Sequence, residues 1–232
     1  EVSANINNVE VIHVPLTDDF ELNIDEILSH HARCLFVCSP NNPSGNRLKN
    51  VERLLDEFEG IVVVDEAYID FCDDKSFMEM LPQYPNLIVM QTFSKAWALA
   101  SARVGIAYAS AGIIGLMDKT KPPYNVSAFN QAEALKALSK PEKQAYRVKV
   151  ILEQRALLEK ELKKISVVQR IYPSDANFLL VEVDDADKLY NYLVSKKVIV
   201  RNRNSVVRNC LRITVGTPEE NRILLEELRN YK

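Results

Sequence analysis

Three short apolar runs, at residues 34–38, 61–64 and 87–90, each stop abruptly at polar or turn-forming residues. Runs of four or five apolar residues without alternation suit strands buried on both faces. Between the first two runs, residues 48–58 place Val51, Leu54, Leu55 and Phe58 on one helical face. A further strand is expected over 104–109. Strand, helix, strand and turn in this order predict a mainly parallel or mixed sheet covered by helices. In such sheets the residues just past the strand ends collect along one edge, and ligands bind there.

The rest of the chain reads in two parts. Residues 9–14 alternate like a strand and 24–30 repeat like a short helix. Pro122-Pro123 interrupt the pattern, after which 127–139 and 141–165 read as helices, the second long, heavily charged and able to bridge two domains. Strands are then expected over 167–171, 178–183, 198–200 and 211–215, with helices over 186–195 and 218–231. The expected division is a larger α/β domain over 1–125, linking helices over 126–150, and a smaller C-terminal α/β domain over 151–232.

Composition excludes several classes of function. With 29 Lys and Arg against 32 Asp and Glu, the formal charge is −3, which does not favour nucleic acid or an anionic membrane. No apolar run approaches the length needed to span a bilayer. Cys34, Cys38, Cys72 and Cys210 lack paired spacings and read as buried thiols in a reducing compartment, so a cytoplasmic location is expected. His13, His30 and His31 share no metal-ligand spacing with Cys or carboxylates.

The strand ends carry the candidates for chemistry. Asn42 follows the first run within Ser39-Pro40-Asn41-Asn42-Pro43-Ser44-Gly45, and Asp65 follows the second, with Tyr68 three residues on. Lys95 lies past the third in Thr92-Phe93-Ser94-Lys95-Ala96-Trp97, with Arg103 eight residues later. A buried carboxylate needs a partner. Asp65 can cap its own turn, or it can face the protonated ring nitrogen of a cofactor. A magnesium-holding role as in P-loop ATPases would require a Gly-x-x-x-x-Gly-Lys-Ser/Thr loop, and the chain has none. A carboxylate, an amide, a phenol, an amine and a guanidinium at one sheet edge are the set that pyridoxal phosphate requires.

Ser-Pro-Asn-Asn-Pro-Ser-Gly, Val-Val-Val-Asp-Glu-Ala-Tyr and Thr-Phe-Ser-Lys-Ala-Trp-Ala-Leu-Ala-Ser-Ala-Arg-Val-Gly resemble, in order, three motifs of the fold-type I aminotransferases. Residues 210–217, Cys-Leu-Arg-Ile-Thr-Val-Gly-Thr, resemble a fourth, and Tyr-Ile-Asp-Phe after Asp-Glu-Ala is most similar to the histidinol-phosphate aminotransferase family. The resemblance implies a three-layer fold, a mostly parallel sheet between helices, with a smaller α/β C-terminal domain. It implies pyridoxal 5'-phosphate as cofactor, glutamate and histidinol phosphate as substrates, and a homodimer. Lys95 would join the cofactor and move the proton at the substrate carbon. Asp65 would pair with the ring nitrogen, and Asn42 and Tyr68 would hydrogen-bond the phenolic oxygen. Ser94 and Arg103 would hold the cofactor phosphate. Arg212 would bind the substrate anion, the glutamate carboxylate or histidinol phosphate, and Arg201 would be the second phosphate clamp, beside Asn42, whereas Arg203 and Arg208 read as a solvated loop.

Related readings are an aminotransferase for aromatic amino acids, a threonine-phosphate decarboxylase, and an inert fragment that keeps the fold. The match begins part-way along the family pattern. The expectation is therefore a fragment that lacks a phosphate-cradling helix start, a ring-stacking aromatic and a tyrosine donated across a dimer. Such a fragment would bind the cofactor weakly and would self-associate through uncovered sheet edges.

Overall fold

The computed structural model describes residues 2–231. Its first half opens with helices α1 (Val2–Ile6) and α2 (Ile24–Ser29), then alternates β1 (Cys34–Cys38), α3 (Val51–Glu57), β2 (Ile61–Asp65), β3 (Leu87–Thr92) and β4 (Gly105–Ala109). The four strands lie in the order β1-β2-β3-β4, the first three parallel and β4 antiparallel to β3. Val37, Val62, Val64, Leu87 and Val89 on one sheet face pack with Ile24, Ile27, Val51, Leu54 and Leu55 from α2 and α3. Each helix thus buries the stripe that its 3.6-residue period creates.

Helices α4 (Ala111–Thr120), α5 (Ala128–Leu138) and α6 (Pro141–Leu162) follow, and α6 runs for 22 residues. The second half forms an antiparallel sheet from β5 (Val168–Ile171), β6 (Phe178–Val183), β7 (Arg201–Asn202) and β8 (Cys210–Thr214), in the order β5-β6-β8-β7. Helices α7 (Ala186–Ser195) and α8 (Pro218–Asn230) cover it together with the end of α6. Leu179, Val181, Val183, Leu211 and Ile213 form the buried sheet face, against Leu158, Leu162, Leu189, Leu193 and Leu224. Thr217 and Glu220 close a reciprocal capping box at the start of α8.

The two sheets meet through a third apolar cluster of Tyr68, Phe71, Ala96, Ala176 and Phe178, with Val148, Ile151 and Leu152 of α6 against it. Ile151 also touches the second core, so α6 packs on both sides of the junction. Arg155 clamps the seam by donating to the carbonyls of Phe71 (3.3 Å) and Ala176 (2.8 Å). Asp175 adds two long-range bonds. Its N–H donates to the Gly45 carbonyl at 2.7 Å, and its carboxylate accepts from the Arg47 N–H at 2.8 Å. Gly45 has φ +91°, and a Cβ there would sit 2.5 Å from Ser174 Oγ, so both the backbone angle and the close approach demand glycine.

Several local expectations differ from the structure. Residues 9–14 pair with no strand, and the alternating pattern alone cannot satisfy a strand's backbone groups. Val14 instead packs at the margin of the first core. β1 is an edge strand with Phe36 71% exposed, not a strand buried on both faces. Pairing on β7 starts at Arg201, because residues 198–200 are still leaving α7 through a turn in which Lys197 has φ 62°. α4 has no counterpart in the sequence reading. Gly112 and Gly115 weaken its helical signal, and none of its residues is buried. Buried thiols were expected, yet Cys34 is exposed at the sheet edge, Cys38 and Cys72 are half-buried, and Cys210 alone of the four is buried.

Two expectations for stability follow from this packing. Phe178 is 1% exposed at the junction. Phe178→Ala is expected to cost about 3–5 kcal/mol in urea denaturation, and a cost near zero would show that the junction does not depend on this ring. Burial, reinforced by the Asp65 carboxylate at Cys38 and by Glu182 at Cys210, pushes both thiols from the ordinary 9.0 up to about 11. The folded state then holds these protons more tightly than the unfolded chain. Their contribution is complete below about pH 9 and is lost as the pH climbs towards about 11. The melting temperature of Cys38→Ser should fall less steeply than that of the parent across this window, and parallel curves would exclude Cys38 as a source.

Candidate active site

The site assembles where the ends of β1, β2 and β3 meet the second sheet. Cys38 lies opposite Asp65 in the parallel register, and the Ser39 N–H donates to the Asp65 carbonyl at 3.0 Å. The chain then turns tightly. Gly45 N–H donates to the Asn41 carbonyl (2.8 Å), Asn41 Nδ2 to Ser44 Oγ (2.7 Å), and Leu48 N–H to the buried Ser39 Oγ (3.0 Å). These bonds leave Asn42 exposed at the turn. Asp65 Oδ1 accepts from the Ala67 N–H at 3.0 Å, and no described residue donates to Oδ2. The turn-capping role and a free acceptor oxygen therefore coexist in one carboxylate.

Two aromatic rings form the floor. Tyr68 and Phe178 meet edge to face with centroids 5.2 Å apart. Lys95 Nζ stands 5.3 Å from the centre of the Tyr68 ring, and the Arg212 guanidinium 4.8 Å from the centre of Phe178. One Arg212 nitrogen donates to Asn42 Oδ1 at 2.7 Å, which closes the ring of contacts back to the β1 turn. Asn42, Tyr68, Lys95 and Arg212 are thus contiguous, and Asp65 joins them through the Cys38–Asn42 turn.

The remaining candidates lie further out. Ser94 N–H donates to Thr92 Oγ1 at 3.1 Å, with the two hydroxyl oxygens 2.9 Å apart, and this turn delivers Lys95. Arg103 is exposed in a left-handed conformation (φ 53°), and its guanidinium donates to the Ala100 carbonyl at 3.2 Å. No contact joins it to the Lys95 group. Arg201 is exposed and stands directly opposite Arg212 in the β7–β8 register.

Charge in this site is kept active. Burial lowers the ionisation of Arg212 below the ordinary arginine range, Tyr68 offsets part of that, and Arg203 and Arg201 push it down further. Lys95 makes no ion pair with a described residue, and Arg212 Nε is buried without an acceptor. An amine without a carboxylate, an orphaned guanidinium N–H and an acceptor oxygen at a strand end suit a ligand that carries an aldehyde, an anion and a ring nitrogen.

Two further residues shape the site without carrying a reactive group at its edge. Phe178 has no polar atom, so nothing in its local sequence marks it as the platform for Arg212. Glu66 is 1% exposed beside Asp65 and accepts from the Phe77 N–H (2.7 Å), Ser76 Oγ (2.5 Å) and Gln91 Nε2 (3.0 Å). It anchors the segment after β2, and the sequential Asp-Glu pair was its only signal.

Comparisons with known proteins agree with this chemistry. The model of the family "Aminotransferase class I and II" matches residues 1–228. The chain is 50% identical over 238 residues to the histidinol-phosphate aminotransferase of Cytophaga hutchinsonii, covering all of this chain and 68% of that protein. It is 47% identical over 239 residues to the enzyme of the same name from Bacteroides thetaiotaomicron, covering all of this chain and 69% of that one. The chain therefore spans about two thirds of the length of these relatives. Its fold is that of the histidinol-phosphate aminotransferase from Clostridium acetobutylicum (TM-score 0.91, 22% identity, 99% of this chain and 73% of that one). It is also that of the Sinorhizobium meliloti histidinol-phosphate aminotransferase solved in complex with pyridoxal-5'-phosphate (TM-score 0.87, 24% identity, 99% and 66%). Motif order, strand-end geometry and whole-chain identity agree, and the chain belongs to the class I and II aminotransferases.

Proposed function

We infer that this chain carries the pyridoxal-phosphate-dependent transamination of histidine biosynthesis. An amino group passes between glutamate and imidazole-acetol phosphate, giving histidinol phosphate and 2-oxoglutarate. The carrying observation is the placement of Lys95 and Arg212 over adjoining rings, with Asn42 linking Arg212 back to the strand ends. Identity of 50% over the whole chain to a histidinol-phosphate aminotransferase supports the substrate.

Bound at this edge, pyridoxal phosphate supplies an electron sink for the carbon that loses its proton. Lys95 would hold it through Nζ and would move the proton at the substrate α-carbon. Asp65, with Oδ1 already held by the Ala67 N–H, offers Oδ2 to the ring nitrogen. Asn42 and Tyr68 would donate to the phenolic oxygen, and Ser94 and Arg103 would hold the phosphate, Arg103 exchanging its present bond to the Ala100 carbonyl for it. Arg212 and Arg201 bind the substrate anion, whose arrival competes with Asn42 Oδ1 for the Arg212 guanidinium. Residues 1–125 form the cofactor domain, 126–150 the linking helices and 151–232 the small domain of a cytoplasmic homodimer. Among the described residues no helix is long and apolar enough to cross a membrane.

Lys95→Ala should lower turnover by roughly 10²–10⁴-fold and remove the pyridoxyl adduct that borohydride reduction leaves on the peptide containing residue 95. An adduct on another lysine would overturn the assignment of Lys95. Faster turnover of phenylalanine or threonine phosphate than of histidinol phosphate would overturn the substrate.

A further inference from the structure

The face of the second sheet opposite its core gathers three guanidiniums. In the antiparallel register Arg201 lies opposite Arg212, and the next rung pairs Arg203 with Cys210, since the Arg203 N–H donates to the Cys210 carbonyl at 2.9 Å. Side chains two apart on a strand share a face. Arg201, Arg203 and Arg212 therefore lie on one side of the sheet, opposite to the buried Leu211 and Ile213.

None of these three guanidiniums forms an ion pair with a described residue, and the Nε atoms of both Arg203 and Arg212 are buried without an acceptor. Glu182 shares the face, but Tyr172 donates to it at 3.3 Å and Arg170 lies opposite it in the register. Arg203 is half-buried, unlike a solvated loop residue. Its charge disfavours that of Arg212, and Arg201 adds to the effect, so the cluster holds mutual repulsion that an anion would relieve.

We propose that Arg203 is a specificity-determining residue, the third guanidinium of the substrate-anion site, and that it selects a phosphate over a carboxylate. The proposal rests on the aminotransferase reading above and deepens it. A phosphate monoester carries a charge of about −1.5 to −2 near neutral pH and three acceptor oxygens. A carboxylate carries one charge and two oxygens, so Arg201 and Arg212 suffice for it. Three guanidiniums match the phosphate in both charge and donor number.

The test uses the cofactor-loaded protein, in which the cofactor's own phosphate fills its cradle. Inorganic phosphate and glutarate are titrated calorimetrically into parent, Arg203→Ala and Arg203→Lys. Arg203→Ala should weaken phosphate binding about 10- to 100-fold and leave glutarate within about twofold. Arg203→Lys keeps the charge without the planar fork and should recover part of the loss. Equal weakening of both ligands would make Arg203 a support for Arg212 and overturn the proposal, as would unchanged phosphate binding. Histidinol phosphate turnover by the parent is measured separately. Its absence would sink the proposed substrate, while the phosphate titration would still decide the role of Arg203.

Discussion

The candidate site is organised around one edge-to-face contact between Tyr68 and Phe178. Tyr68 follows β2 of the first sheet and Phe178 opens β6 of the second, so the pair is where two separately built cores meet. The ring contact is short-ranged and directional. It fixes the separation of the sheets to within the reach of a lysine from one and an arginine from the other. Arg155, donating to carbonyls on both sides, and Asp175, bonded to the turn around Gly45, hold the same seam with polar contacts. Weakening the seam would shift Lys95 relative to Arg212 before either core lost its packing.

The cations at the seam are positioned almost entirely by neutral partners. Lys95 stands over a phenol ring, Arg212 over a phenyl ring, and Arg212 donates its hydrogen bond to an amide oxygen. Carboxylates in these places would orient the side chains equally well and would also cancel their charge. Elsewhere the protein pairs its cations freely, as in Arg53 with Asp25 and Glu57 or Arg222 with Glu219 and Glu226. Those exposed pairs contribute little to stability. The contrast separates cations paired on the surface from cations left without a carboxylate at the seam, and holding the latter unpaired is a cost the two cores must offset.

The sequence made the strand-end logic legible because apolar runs followed by Asn, Asp and Lys express a physical rule. A buried strand cannot hold a charge, so the charge appears where the strand stops. The strand-end positions of Asn42, Asp65 and Lys95 were readable for that reason, and the structure brings them to one edge. Phe178 was not readable, because its role comes from a partner 110 positions away in sequence and leaves no local trace. Arg203 lies just past the end of β7, where turn residues begin, and it is half-buried there, which its position in the sequence does not reveal. Residues 9–14 failed in the opposite way. Their alternation is real, but a strand is a property of two segments, and no strand of the described sheets pairs with them.

The arginine face shows how non-directional burial can place a specific charge pattern. Leu179, Val181, Leu211 and Ile213 must turn towards α6, α7 and α8 to leave water, and this need fixes the register of β6 with β8. Because the side-chain period is two, a slip of one residue would invert both faces at once. The register that buries Leu211 and Ile213 is therefore the register that sets Arg212 over Phe178 and brings Arg201 and Arg203 to the same side. No electrostatic attraction is needed to gather the three guanidiniums, and their mutual repulsion opposes it. The hydrophobic core gathers these guanidiniums against their own repulsion, and Arg203 and Arg201 push the ionisation of Arg212 down accordingly.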